Sequence, residues 1–356
     1  MRLVFVTQTL DASHPALAQT VDLVEALAAR VEHLAVVTRT ADGPAPQNAS
    51  VRTFDARTRA GRVAAFERAL AGAGRGADAI LVHMVPQFAL LACPFARARR
   101  VPLLLWYTHW HASRALRAAS RVVDAALSVD ASSYPVATPR LRAIGHAIDV
   151  ARFDAPPTAP HDGPLRLLAL GRTARWKGLT TLLDALELVD ADVSLEIRGP
   201  SLTPDEEAHR RELERRADGR RVRILEPVRR DDVPQLLAAA DALVSPHEPR
   251  AGATLDKAVY EAAACRRPIV STNDAFRPLL GGLPLDLLAA PRDPAALAAR
   301  IGELAAASSG ARAATGEELR SRVVRHHSLD HWADEVLRLV TEVRSPRGTA
   351  GSRRSE

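Results

Sequence analysis

The sequence predicts an α/β chain built as two doubly wound, Rossmann-like domains with parallel sheets. Three observations predict it. At 356 residues the chain is too long for one ordinary core, and two domains of about 150–180 residues are the natural division. Apolar β-type runs alternate with amphipathic helical stretches from the first residue onward, the pattern of parallel strands joined by helical crossovers. That alternation stops at a Pro-rich stretch, residues 154–164, and then restarts.

In chain order, the first half (1–153) reads as strands near 2–6, 34–38, 51–54, 79–83, 102–106, 125–129 and 141–144. Helices fit near 17–30, 61–72, 87–98 and 111–120. Residues 154–164 read as a linker. In the second half (165–328), strands fit near 166–170, 193–198, 222–225, 241–244 and 268–271, with helices near 178–188, 203–216, 231–239, 255–264 and 294–306. A last helix is expected over 329–344, and the polar, turn-rich residues 345–356 read as a disordered tail. Two open sheets of this kind would present their strand C-termini across an interdomain cleft, where ligands bind in such folds.

Composition narrows the function classes. Hydrophobic residues make up 47% of the chain and charged residues 25%, ordinary for a soluble globular protein. No apolar run approaches the ~18–20 residues that span a bilayer, and Met1-Arg2 runs straight into an apolar strand with no cleavage site. The only cysteines are Cys93 and Cys265, both in apolar stretches, which fits a reducing cytoplasm better than a disulfide framework. No His/Cys cluster has zinc spacing, so no metal is expected.

The net charge of +6 sits entirely in the first half, where 17 arginines face 11 acidic residues over 1–150; the remainder balances at 31 of each sign. Arg114, Arg117 and Arg121 follow Trp110 and His111 at helical spacing and share one face, which suits an anionic acceptor or membrane headgroups, or a solvated helix in an arginine-biased chain. Nucleic-acid binding lacks support, with 4% aromatics and no binding module. Among 48 basic residues only Lys177 and Lys257 are lysines, and each falls in one of the two chemistry-bearing segments.

The first of these segments runs from a strand through Gly171, Arg172 and Lys177 to a helix starting near Gly178. Gly171 permits a tight turn at the sheet edge, and Gly178 leaves a helix N-terminus open to a ligand. Two cations there suit a diphosphate whose charge grows as it leaves, although a plain basic surface loop would read the same way. The second segment, residues 240–271, reads strand, loop, helix, strand. Thr254 is positioned to cap its helix, leaving Asp256 and Lys257 in the first turn, and Glu261 lies in an otherwise apolar stretch. Such a carboxylate needs a ligand, ribose hydroxyls for instance, or an internal basic partner.

At Gly171-Arg172-x4-Lys177-Gly178, Ala239-Ala240-Asp241-Ala-Leu-Val-Ser-Pro246 and Glu261-Ala-x-Ala-Cys-x-x-Pro268-Ile-Val, the chain resembles glycosyltransferase family 4, retaining enzymes of the GT-B fold. The resemblance is strong over about 165–275 and architectural elsewhere. It implies that Arg172 and Lys177 contact the donor diphosphate beside Gly171, and that Glu261 binds the donor ribose. The family's first glutamate, eight residues before the second, is here Ala253; Glu248 lies thirteen before. Glu248, Asp256 and Lys257 then complete the donor loop, and the Asp-Lys pair resembles a variant form of it. His109 stands where the family often has a histidine near donor sugar and acceptor. Thr7, Gln8 and Asp11 follow the first strand, on the acceptor side, and His83-Met84 ends the fourth. Residues 144–149 resemble the family's entry to the linker, with structural roles for His146 and Asp149. The final helix, with Trp332, Val336, Leu339, Val340 and Val343 on one side, would cross back to the first domain, as GT-B enzymes commonly have it.

The resemblance implies a cytoplasmic transferase, peripheral at the inner membrane face if its arginines meet lipid. It would move a sugar from a UDP- or GDP-sugar donor to a sugar, lipid-linked or small-molecule acceptor. Retention by a front-face route needs no enzymic nucleophile, cofactor or metal ion. The alternatives are a nucleotide-sugar epimerase, which needs acid–base carboxylates not found here, and a non-catalytic sugar-nucleotide-binding or partner subunit, favoured by Ala253. A dinucleotide oxidoreductase lacks its Gly-x-Gly-x-x-Gly.

Overall fold

A computed structural model of the chain describes residues 1–14, 17–248 and 255–344. Ala253, Thr254 and the tail 345–356 lie outside the described residues. The chain divides into two compact units, the first made of Met1–Ala147 together with the last helix, the second of Ile148–Ser328.

The first unit runs β1 (Arg2–Asp11), α1 (Thr20–Ala28), β2 (His33–Asp42), β3 (Ala49–Thr53), α2 (Arg59–Ala73), β4 (Ala79–His83), α3 (Pro86–Arg99), β5 (Leu103–Trp106), α4 (Arg114–Val122), β6 (Ala125–Ser128) and β7 (Leu141–Ala143). All seven strands pair in parallel, in the order β3-β2-β1-β4-β5-β6-β7. Alternate strand residues enter opposite layers, as the period of two demands. Leu3, Phe5, Leu34, Val36 and Trp106 pack with Leu23, Val24 and Leu27 of α1. Val4, Val6, Val37 and Leu105 pack on the other face with Phe66 and Leu70 of α2 and Ala89, Ala92 and Ala96 of α3.

β1 is longer than its apolar run predicts. It continues to pair with β2 beyond Val6, through Thr7↔Thr38, Thr9↔Thr40 and Asp11↔Asp42. Threonines on both strands favour the extended backbone, and Thr40 Oγ1 donates to Thr9 Oγ1 at 2.9 Å. Thr7, Gln8 and Asp11 are therefore strand residues, not loop residues after a strand.

The second unit runs β8 (Leu165–Leu170), α5 (Leu179–Glu187), β9 (Val193–Arg198), α6 (Pro204–Arg216), β10 (Val222–Leu225), α7 (Val233–Ala239), β11 (Ala242–Ser245), α8 (Lys257–Ala264), β12 (Ile269–Ser271), α9 (Arg277–Leu280), α10 (Pro294–Ala306) and α11 (Ser309–His326). Its five parallel strands are ordered β10-β9-β8-β11-β12. Leu167, Leu195, Ile197 and Val244 meet Leu182, Leu183 and Leu186 of α5 and Leu297, Ile301 and Leu304 of α10. The Pro-rich stretch is anchored to this unit. Buried Arg267 donates to Pro156 O at 2.7 Å and also bonds Thr158, while Arg266 holds Asp154 at 2.6 Å.

Helix α11 has no counterpart in the periodicity. Its buried positions are Thr315, Gly316, Leu319 and Val323, so its inner face offers only two large apolar side chains. A Cβ on Gly316 would lie 2.2 Å from Arg266 O, so this helix packs by backbone approach rather than by an apolar stripe.

The last described helix, α12 (Leu329–Arg344), adds Trp332, Ala333, Val336, Leu339 and Val340 to the core of the first unit. Arg30, in the turn just after α1, clamps it through Asp330 and Asp334, both at 2.6 Å.

Candidate functional site

In the second unit the sheet order reverses between β8 and β11, the place where a doubly wound sheet leaves a crevice at its strand C-termini. The two loops leaving these strands carry most of the predicted donor residues. Gly171 follows β8 with φ +142°, and its N–H donates to Arg198 O at 2.9 Å. Arg175–Lys177 form one 3₁₀ turn, closed by Gly178, whose N–H donates to Arg175 O at 3.0 Å. Gly178 has φ +68°, and a Cβ there would stand 1.6 Å from Pro246 O. Only glycine lets the loop after β8 lie against the loop after β11, and from it α5 begins.

Gly171, Arg172, Lys177, Ser245, His247 and Asp256 line this crevice. The Lys177 ammonium contacts the Asp256 carboxylate and lies 4.6 Å from the centre of the Trp176 ring. Burial, with Arg172 second, pushes that ammonium down to about 7. Asp256, in direct contact, draws it back toward the charged form. His247 Nε2 lies 2.7 Å from the same Asp256 oxygen without the alignment of a hydrogen bond, while Nδ1 meets Ser245 Oγ at 3.1 Å. Burial, then Lys177, pushes His247 down to about 3, so its ring is neutral. It stacks on Trp176 with centroids 5.6 Å apart and planes at 12°.

Arg172 reaches out of the crevice into a bidentate pair with Glu206 of α6, a buried carboxylate that also accepts Leu202 N–H at 2.7 Å. Glu248 is joined to the same loop, its N–H donating to Trp176 O at 2.9 Å and its carboxylate meeting Arg292 at 3.1 Å. Lys257 and Glu261 pair along one turn of α8 at 3.8 Å, so the carboxylate in the apolar stretch has a basic neighbour inside its own helix. Asp241 lies at the other end of the sheet. It accepts Arg166 N–H at 2.7 Å, pairs with the Arg166 guanidinium at 2.9 Å and meets His161 at 2.9 Å, tying β8 to β11. Sequence reasoning missed His247, Trp176 and Glu206. The first two flank residues it singled out, whereas Glu206 is one of several acids at the start of α6 and has no distinguishing local signal.

In the first unit the reversal falls between β1 and β4, whose last paired residues are Val6 and Val82. The next two residues, Thr7 and His83, are buried and joined at 3.0 Å through Thr7 Oγ1 and His83 Nδ1. His83 stacks against Phe5 and Trp106, and burial pushes it down to about 3. Met84 follows with φ +63°, its sulfur accepting from Thr108 N–H at 3.4 Å and Thr108 Oγ1 at 3.3 Å. His109 is exposed, stacks on Trp110 at 5.3 Å and accepts the His111 N–H at 3.1 Å. Gln8 is exposed; Asp11 accepts from Ser13 Oγ and N–H, both at 2.7 Å, which hold its carboxyl below the usual range. Asp149, in the second unit, accepts Arg152 N–H at 3.0 Å and serves a turn.

Among the described residues, no three His, Cys, Asp or Glu side chains are grouped to hold a metal ion, and no helix is long and apolar enough to cross a membrane.

Residues 164–307 match the family described as Glycosyl transferases group 1. No curated protein sequence matches the chain. Among solved structures, the chain is similar to Anabaena HepE in complex with UDP and glucose, with TM-score 0.73 and 17% identity over 96% of this chain and 99% of that one. It is similar to the sucrose-phosphate synthase of Thermosynechococcus elongatus, with TM-score 0.75 and 18% identity over 96% and 99%. A glycosyltransferase of Rickettsia africae gives TM-score 0.75 and 13% identity over 96% and 98%. With two doubly wound parallel sheets and these neighbours, the chain has the GT-B fold of two Rossmann-like domains.

Proposed function

We propose that the protein is a retaining glycosyltransferase of the family 4 type that uses a nucleoside-diphosphate sugar. The observation that carries this reading is a largely buried lysine, Lys177, at the switch-point crevice of the unit that matches the group 1 glycosyltransferases. A diphosphate leaving group gains charge as the glycosidic bond breaks, and a fixed cation in a low-dielectric crevice stabilises it. Arg172 acts from the rim, oriented by Glu206. Glu261 takes the ribose, with Glu248, Asp256 and Lys257 around it. The UDP bound by HepE fits a UDP-sugar, and GDP-sugars remain within the reading.

The acceptor belongs to the first unit, near Thr7, Gln8, Asp11 and His109. Its hydroxyl attacks on the face from which the diphosphate leaves, without metal ion or enzymic nucleophile. Arg114, Arg117 and Arg121 support a cytoplasmic protein that rests on an anionic membrane surface. All three are exposed on α4, and no carboxylate pairs with them among the described residues.

Thermal unfolding against a panel of nucleotide sugars tests the reading. The matching donor at 100 times its dissociation constant should stabilise the protein by about 2.7 kcal/mol. Turnover with an acceptor, followed by NMR of the product anomer with chelator present, tests retention and metal independence. No stabilising nucleotide sugar, or an inverted product, sinks the proposal. A non-catalytic binder would be stabilised yet form no product.

A further inference from the structure

The charges of the donor crevice cancel in pairs. Lys177 is held by Asp256, and Arg172 by Glu206. Among the described residues lining the crevice, Asp256 is the single acidic one. Its oxygen lies against the Lys177 ammonium, the group to which the proposed reading assigns a donor phosphate, and Nε2 of the neutral His247 ring is 2.7 Å from the same oxygen. A phosphate oxygen that reached Lys177 beside an unmoved Asp256 would meet a like charge in a buried setting, where repulsion is poorly screened.

Asp256 is also the residue that precedes α8, in the capping position where an aspartate usually accepts a helix N–H. Here it makes no side-chain bond to the helix. Its carboxylate is thus committed to Lys177 and not to the fold of α8, and moving it sacrifices no cap.

We infer that Asp256 is the resident counter-ion of Lys177 and that donor binding exchanges it for a phosphate, so Asp256 acts as a positioning residue that admits ligands by charge. This rests on the assignment of the donor diphosphate to Lys177. Asp256 holds the Lys177 ammonium in place until an anion arrives. An uncharged nucleoside cannot take over that role, whereas a diphosphate can. The carboxylate therefore lowers affinity for every anion by the cost of its own displacement.

Isothermal titration of the full chain with inorganic pyrophosphate, UDP and uridine tests this, using wild type, Asp256→Asn and Lys177→Met. Asparagine keeps the shape and removes the charge. The expected result is about tenfold or greater tightening of pyrophosphate and UDP in Asp256→Asn, with uridine unchanged. A merely structural aspartate would not produce tighter binding selective for anions. Equal or weaker pyrophosphate binding by Asp256→Asn overturns the inference. Asp256→Ser repeats the measurement should the asparagine variant not fold. Failure of the underlying assignment looks different: Lys177→Met would then bind UDP as wild type does, whatever the Asp256 variants show.

Discussion

His83 makes the first unit acid-sensitive by a calculable amount. Its imidazole is buried, hydrogen-bonded to Thr7, packed between Phe5 and Trp106, and pushed down to about 3 by burial. In the unfolded chain a histidine titrates near ~6.5. The folded value lies below the unfolded one, so on acidification the unfolded state takes up a proton that the folded state refuses. Stability is therefore lost as pH falls through ~6.5, and the loss continues until the pH nears the folded value. Between pH 7 and pH 5 the unfolded chain gains most of one proton at this position, a loss of about 2 kcal/mol from this residue alone. Urea unfolding of wild type and His83→Gln at both pH values, followed by tryptophan fluorescence, isolates it. Glutamine keeps a hydrogen-bond partner for Thr7 and does not titrate, while Trp106 and Trp332 report on the first unit. His247 is present in both proteins and cancels in the comparison. The wild type should lose about 2 kcal/mol more than the variant. Equal losses would mean that His83 is not a neutral, desolvated group.

Four further outcomes follow from the structure and the proposed reading. Lys177→Ala and Arg172→Ala should each lower turnover by about 10²-fold in steady-state kinetics while the protein stays folded. Gly178→Ala should lower stability by at least about 2 kcal/mol in thermal unfolding, because it adds a left-handed backbone to a collision with Pro246 O; Gly43→Ala, at φ +97° with nothing within 4 Å, should suffer only the backbone cost. Trp332→Ala should lower stability by about 3–5 kcal/mol, since the ring is fully buried 4.8 Å from Trp106. Replacing Arg114, Arg117 and Arg121 together by glutamine should weaken sedimentation with anionic liposomes by about 3 kcal/mol at low salt, from ~1 kcal/mol per arginine near such a surface.

Strand and helix alternation was legible because parallel sheets bury both faces of each strand, so β4, β5 and β11 stand out as apolar runs between amphipathic helices. The same rule misplaced the end of β1, where Thr7 and Thr9 pair with β2 as well as any valine does. It was silent on α11, whose packing runs through Gly316, Leu319 and Val323. At the switch-point crevice, Lys177 could be picked out because it is one of two lysines in an arginine-rich chain, and Gly171, Arg172 and Asp256 because they sit in loops between a strand and a helix. What the sequence could not tell was who neutralises whom. Glu206 lies 34 residues from Arg172 and Asp256 79 residues from Lys177, and such pairings come from the winding of the sheet and not from any local spacing.

The return of α12 to the first unit has a consequence for synthesis. Domains usually become foldable in the order in which they leave the ribosome. Here the second unit is complete once Ser328 has emerged, but the first unit still lacks Trp332, Val336, Leu339 and Val340, which fill one layer of its core. Until those residues appear, Trp106 lacks the Trp332 ring that packs 4.8 Å from it. The half of the protein made first is thus finished last, and a stalled or prematurely ended chain would present a folded second unit tethered to an adhesive, half-built first one.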